Sequence, residues 1–131
     1  MSPDLTHTLT ISASGMDAQT IRLRVIAENL ANQDSTGASP GADPYRRKTV
    51  TFANHLDTVR VKAVGQDKGQ LPTRYDPSNP AASAQGYVKL PNVNSFTEMM
   101  DMREAQRSYN ANLAVMQATR GMLTRTIELL K

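Results

Sequence analysis

Very little in this chain could do covalent chemistry. Its twelve aspartates and glutamates share no spacing with a nucleophile or a base, and neither Ser95 nor Ser108 has a histidine placed to activate it. His7 and His55 stand apart, outside any metal-ligand spacing, and the absence of cysteine removes both a thiolate metal site and a disulfide framework. No glycine-rich loop is spaced to cradle a phosphate. The expectation is therefore no catalytic, cofactor-binding or metal-ligating residue. What remains is recognition chemistry. Arg46-Arg47-Lys48 is a basic triplet that reads as a solvated strand edge, as a contact for an acidic protein neighbour or, least favoured, as a nucleic-acid contact. Asn29 and Asn32, three apart in Ala27-Glu-Asn-Leu-Ala-Asn32, suit either a helix terminus or a hydrogen bond to a neighbouring backbone.

The elements that must position these groups are two long helices. Met102, Tyr109, Met116, Leu123 and Leu130 fall seven apart, and Met99, Leu113 and Ile127 fill the row three residues before them. Gln106 and Arg120 complete that second row as polar members. A period of 3.5 residues sustained over about five heptads predicts a helix that packs along a partner helix, roughly 55–60 Å long if it runs from Asn92 to Lys131. Ser95-Phe-Thr-Glu98 reads as a capping box at its start, with Asn92 or Asn94 as other candidate caps. Away from the seam, Ala111, Ala114, Ala118 and Gly121 form a small-residue stripe. It fits plain helix propensity, and it also fits close approach by a neighbouring backbone.

A second stripe, Leu9, Met16, Leu23 and Leu30, predicts a helix over residues 5–33. The hydroxyl-rich start, with Thr6, Thr8, Thr10, Ser12 and Ser14 upstream of Gly15, has poor helix propensity, so residues 1–14 are expected to need a partner for order. Both helices carry apolar residues off the seam: Ile11, Ile21 and Val25 on one, Phe96 and Val115 on the other. A two-helix hairpin has no place for them, which favours oligomerisation.

Between the helices, Gly37–Pro44 reads as a flexible loop, Thr49–Phe52 and Val59–Val64 as a strand pair, and Gly65–Gly69 as a turn. Leu71–Pro80 continues as an extended, turn-rich run. The fold class is mainly α: paired N- and C-terminal helices, coiled-coil-like, with a small β-hairpin and extended insert. The segments are 1–36, 37–86 and 87–131, with net charges of −2, +3 and +2. The total of +3 is too small to argue for nucleic acid. Only two Phe, four Tyr and no Trp make a thin enzyme core, whereas seven Met suit adaptable helix packing. No cleaved secretory signal and no membrane span are expected.

Taken in order, the motifs resemble those of a known family. Ala27-Glu-Asn-Leu-Ala-Asn32 before a Thr-Gly loop is similar to the N-terminal signature of the bacterial flagellar rod and hook family. Tyr45-Arg-Arg-Lys48, Tyr75-Asp-Pro-Ser-Asn-Pro80, Gly86-Tyr-Val88, Pro91-Asn-Val-Asn94, Glu98-Met99 and Arg107-Ser-Tyr-Asn-Ala-Asn112 continue the resemblance to its proximal-rod members. Ala38–Pro44 and Ala81-Ala-Ser-Ala84 depart from it. The resemblance implies a structural axial subunit of the basal-body rod in the periplasmic space. It implies partners among other rod proteins, copies of itself and the flagellar type III export apparatus, with export lacking signal cleavage. The expected assembly seam is Leu9, Met16, Leu23, Leu30, Met102, Tyr109, Leu113, Met116, Leu123, Ile127 and Leu130. Asn29, Asn32, Arg46, Arg47 and the small-residue stripe are the expected subunit contacts. A coiled-coil adaptor without a filament role is the alternative.

Overall fold

A computed structural model describes residues 3–131; Met1 and Ser2, the first two residues of the 1–36 segment, lie outside the described residues. The elements run α1 (Pro3–Ala31), β1 (Lys48–His55), β2 (Thr58–Gln66), β3 (Thr73–Tyr75), β4 (Tyr87–Lys89) and α2 (Ser95–Leu129). The fold is thus mainly α, two long helices separated by a small β insert. Pro3 opens α1, where its missing N–H costs nothing. The hydroxyls of Thr6, Thr8 and Thr10 turn back onto carbonyls three or four residues earlier, which satisfies them locally within the helix. No helix among the described residues is long and apolar enough to cross a membrane.

The capping of α2 differs from the expected box. Asn94 Oδ1 accepts the Thr97 N–H at 3.1 Å, so Asn94 is the cap. Ser95 donates its hydroxyl to Gln33, and Glu98 is drawn inward to other partners.

The chain divides into two compact units. One comprises the described residues up to Leu23, Val50–Ala63 and Met102–Lys131. Its buried positions are Ser12, Ala18, Ala105 and Thr119, all small. A Cβ on Gly15 would come within 2.7 Å of Asn112 Nδ2, so α1 needs glycine where α2 approaches. The hairpin leans on α1 through the Val59 N–H, which donates to Ser14 Oγ at 3.2 Å.

The other unit comprises Arg24–Thr49 and Val64–Asp101. Val25, Ile26, Ala81 and Val88 form its apolar core. The β3–β4 pair, which the sequence read only as extended chain, is antiparallel, with Thr73 opposite Lys89, Arg74 opposite Val88 and Tyr75 opposite Tyr87. Gly86 enters β4 at φ 85°, where a Cβ would meet the Tyr75 ring at 2.8 Å.

Candidate functional site

The most ordered chemistry lies in the second unit, around Asn29. Its side chain is 1% exposed and makes four hydrogen bonds. The amide nitrogen donates to the Lys48 carbonyl at 3.0 Å and to Glu98 Oε2 at 3.1 Å. The amide oxygen accepts the Tyr45 hydroxyl at 2.7 Å and the Lys48 N–H at 2.8 Å. One buried amide thus fixes the start of β1 against both helix ends, with no polar valence unmet.

Glu98 is wholly buried and takes the Nε–H of Arg47, whose Nη2 lies 3.4 Å from Asp101. The Arg47 backbone N–H donates to Asn92 Oδ1 at 2.8 Å, and Asn92 in turn donates to the Asp67 carbonyl. Lys48 Nζ pairs with Glu28 at 2.7 Å. That hydrogen bond holds the Glu28 carboxyl below, and the Lys48 ammonium above, their ordinary ranges. Burial pushes the Tyr45 phenol up, which keeps it a donor to Asn29. Arg46 donates to the Gly69 carbonyl at 3.0 Å and lies 3.7 Å from Asp43.

The basic triplet is therefore a set of three internal ties. Asn29, Arg46 and Arg47, expected to meet a neighbouring subunit, direct their polar groups into their own chain. Asn32 likewise turns its amide back to the Glu28 carbonyl at 2.8 Å. No sequence signal marked this, because Glu98 lies 51 residues from Arg47 and 69 from Asn29, and even Tyr45 and Lys48 lie 16 and 19 from Asn29.

The surfaces left open are on the helices. Within their respective units, Leu9, Met16, Leu23, Leu30, Met102, Tyr109, Leu113, Met116 and Leu123 are half-buried, while Ile127 and Leu130 are exposed. The fully buried row of α2 is not the one three residues before Met102 but the one four before: Glu98, Ala105 and Thr119, with Asn112 half-buried among them. Small residues allow the close approach, and that turns Met99 and Ile127 outward. Ala111, Ala114, Ala118 and Gly121 are all exposed, and nothing lies within 4 Å of a Cβ built on Gly121. Phe96 and Met100 in one unit, and Val115, Met122 and Leu129 in the other, are also exposed.

Comparison with known proteins gives the same two ends special weight. Residues 9–38 match the family model for the flagella basal body rod protein, and residues 84–129 match that for the C-terminal part of flagellar basal body rod FlgEFG proteins. The flagellar basal-body rod protein FlgC of Agrobacterium fabrum is 55% identical over 127 residues, covering 92% of this chain and 91% of the relative. That of Bacillus subtilis is 38% identical, covering 94% and 96%. That of Escherichia coli O6:H1 is 42% identical, covering 91% and 92%. Likeness at this level along nearly the full length of each relative shows that the chain belongs to the flagellar basal-body rod protein FlgC family.

Proposed function

We infer that this chain is a structural subunit of the flagellar basal-body rod, assembling with other rod proteins and with copies of itself. The observation that carries this is the near full-length likeness to rod proteins. The apolar surface that the helices leave open supports it. A stand-alone adaptor is not favoured, since relatives of this length and likeness are rod proteins by name.

The finer reading concerns how the rod is built. The outward residues Met99, Val115, Met122, Ile127, Leu129 and Leu130, together with the half-buried seam, pack in coiled-coil manner against helices of neighbouring subunits. Burying apolar area at about 25 cal/mol per Å² supplies the driving force. The stripe Ala111, Ala114, Ala118 and Gly121 lets one such helix approach closely. Repeated around an axis, the contact makes a hollow shaft that transmits torque and conducts exported subunits through the periplasm. The chain reaches that place through the flagellar type III export apparatus without signal cleavage, and its role is mechanical rather than enzymatic. Deleting the chain tests the reading: cells should carry a basal body without its axial rod and should not swim. A complete rod in the deletion strain would overturn it.

A further inference from the structure

We propose that the β1–β2 hairpin tip of one copy docks on the outward face of β3–β4 in a second copy, setting Leu56 on the Tyr75–Tyr87 pair and Asp57 among Arg46, Lys68 and Lys89. The inference rests on the rod-subunit reading, which supplies the second copy.

The tip is costly as built. Leu56 and Asp57 form the two-residue turn at φ 46° and 66°, and they are the only positive-φ residues other than glycine among the described residues. Such turns favour Asn-Gly, because a side chain in the left-handed region is strained. Here one position holds a leucine that is 82% exposed, and the next a carboxylate with no ion-pair partner among the described residues. An apolar and an acidic group are thus presented together at the tip, where the aspartate tolerates the left-handed backbone and the leucine does not help the turn. A left-handed leucine is the kind of outlier from which a functional hypothesis starts.

The receiving face is preformed. Residues directly opposite in an antiparallel pair share a side, so Tyr75, Tyr87, Thr73 and Lys89 lie together, away from buried Val88. The two rings meet edge to face with centroids 5.3 Å apart, yet Tyr75 remains 64% and Tyr87 51% exposed. Gly86 leaves room beside the Tyr75 ring, which a Cβ there would meet at 2.8 Å. Exposed tyrosines are favoured anchors of protein interfaces. Thr73 and Lys89 lead directly into a cavity of about 410 Å³ lined also by Arg46, Lys68, Leu71 and Asp43. Asp43 engages Lys89 and Arg46, while Lys68 has no ion-pair partner among the described residues. Three cations against one carboxylate suit an incoming acid beside an apolar side chain, and Leu56-Asp57 offers that pair. Tip and face are different surfaces, so the contact is head to tail and propagates along an assembly unless rotation closes it.

The cysteine-free chain makes the test direct. Cells lacking the native protein receive two single-cysteine forms, Leu56→Cys and Thr73→Cys, together and then separately, and are treated with mild oxidant. A disulfide-linked dimer should appear only with both forms, and not when Ser39→Cys replaces Thr73→Cys. Swimming cells without that dimer would overturn the docking while leaving the rod reading intact. A dimer of equal strength with Ser39→Cys would also overturn it. If a cysteine form abolishes swimming, the charge swap decides. Asp57→Lys should impair swimming, and adding Lys68→Asp in the same chain should restore it; a double variant no better than Asp57→Lys would refute the contact.

Discussion

The two compact units are held by different kinds of force. In the unit containing Asn29, a wholly buried carboxylate, its arginine and a four-bonded amide tie residues distant in sequence, and Val88 and Ile26 are fully packed. In the unit containing Gly15, nothing larger than threonine or alanine is fully buried among the described residues, and the large apolar side chains are half or wholly exposed. There, a cavity of about 500 Å³ also opens between α1 and β2. Ordering a residue costs roughly 1–2 kcal/mol, which burial must offset. The unit containing Asn29 meets that demand partly through buried polar ties, whereas the unit containing Gly15 packs mainly through small side chains; both expose large apolar residues. One protein thus carries a part tied by buried polar contacts and a part packed mainly through small side chains.

The largest effect that could break this contrast is loss of Arg47. Arg47→Met leaves Glu98 buried without its cation, an expected loss of about 3–5 kcal/mol. A thermal melt followed by hydrogen exchange should show protection collapsing around Asn29 and β4. A melt within error of the native chain would mean the network is decorative. Next comes the seam. Met116→Asp places a charge on a half-buried position, costing roughly 2–3 kcal/mol at each packed contact. Cells should still export the protein but build no rod, and normal swimming would count against the seam.

Much of this architecture was legible in the sequence, and the reasons for the rest are physical. Seven-residue spacing located both helices to within a few residues, because amphipathic period is a local property. It also counted large apolar residues as the buried ones. The structure instead buries Ser12, Ala18, Ala105 and Thr119, since small side chains allow close approach and hydrophobicity alone does not register that. Glu98 read as a capping-box acid because its true partner, Arg47, is 51 residues away. Arg46-Arg47-Lys48 read as a surface charge run for the same reason. The β3–β4 pair escaped notice because three residues per strand carry no periodicity.

Smaller changes sharpen the contrast. Ala114 and Gly121 are exposed, so Gly121→Ala should stabilise the isolated chain by up to about 1 kcal/mol, and Ala114→Leu should leave its helicity unchanged. In a packed assembly, Ala114→Leu overfills each contact at about 1–3 kcal/mol and should stop rod growth. Unchanged circular dichroism with full swimming would leave the stripe with propensity alone.

The smallest effect is that of pH on the Glu28–Lys48 pair. Lys48 depresses the Glu28 carboxyl, so that contribution is present above the ordinary glutamate range and fades as pH falls through the lowered value. Glu28 raises the Lys48 ammonium, so its share is present below the ordinary lysine range and fades as pH rises through the raised value. Between those limits, Lys48→Met should lower the melting temperature slightly. The difference should vanish in strong acid, and a constant difference at all pH values would point to lost packing instead of lost charge.

Hydrogen exchange on the dilute purified monomer tests the central contrast most directly. The expected pattern is slow exchange at Val25 to Asn29 and at Val88, with fast exchange through the first turns of α1 and the α2 segment beyond Thr119. Strong protection along both helices to their ends, or none around Asn29, would contradict the division into a tightly tied unit and a loosely packed one.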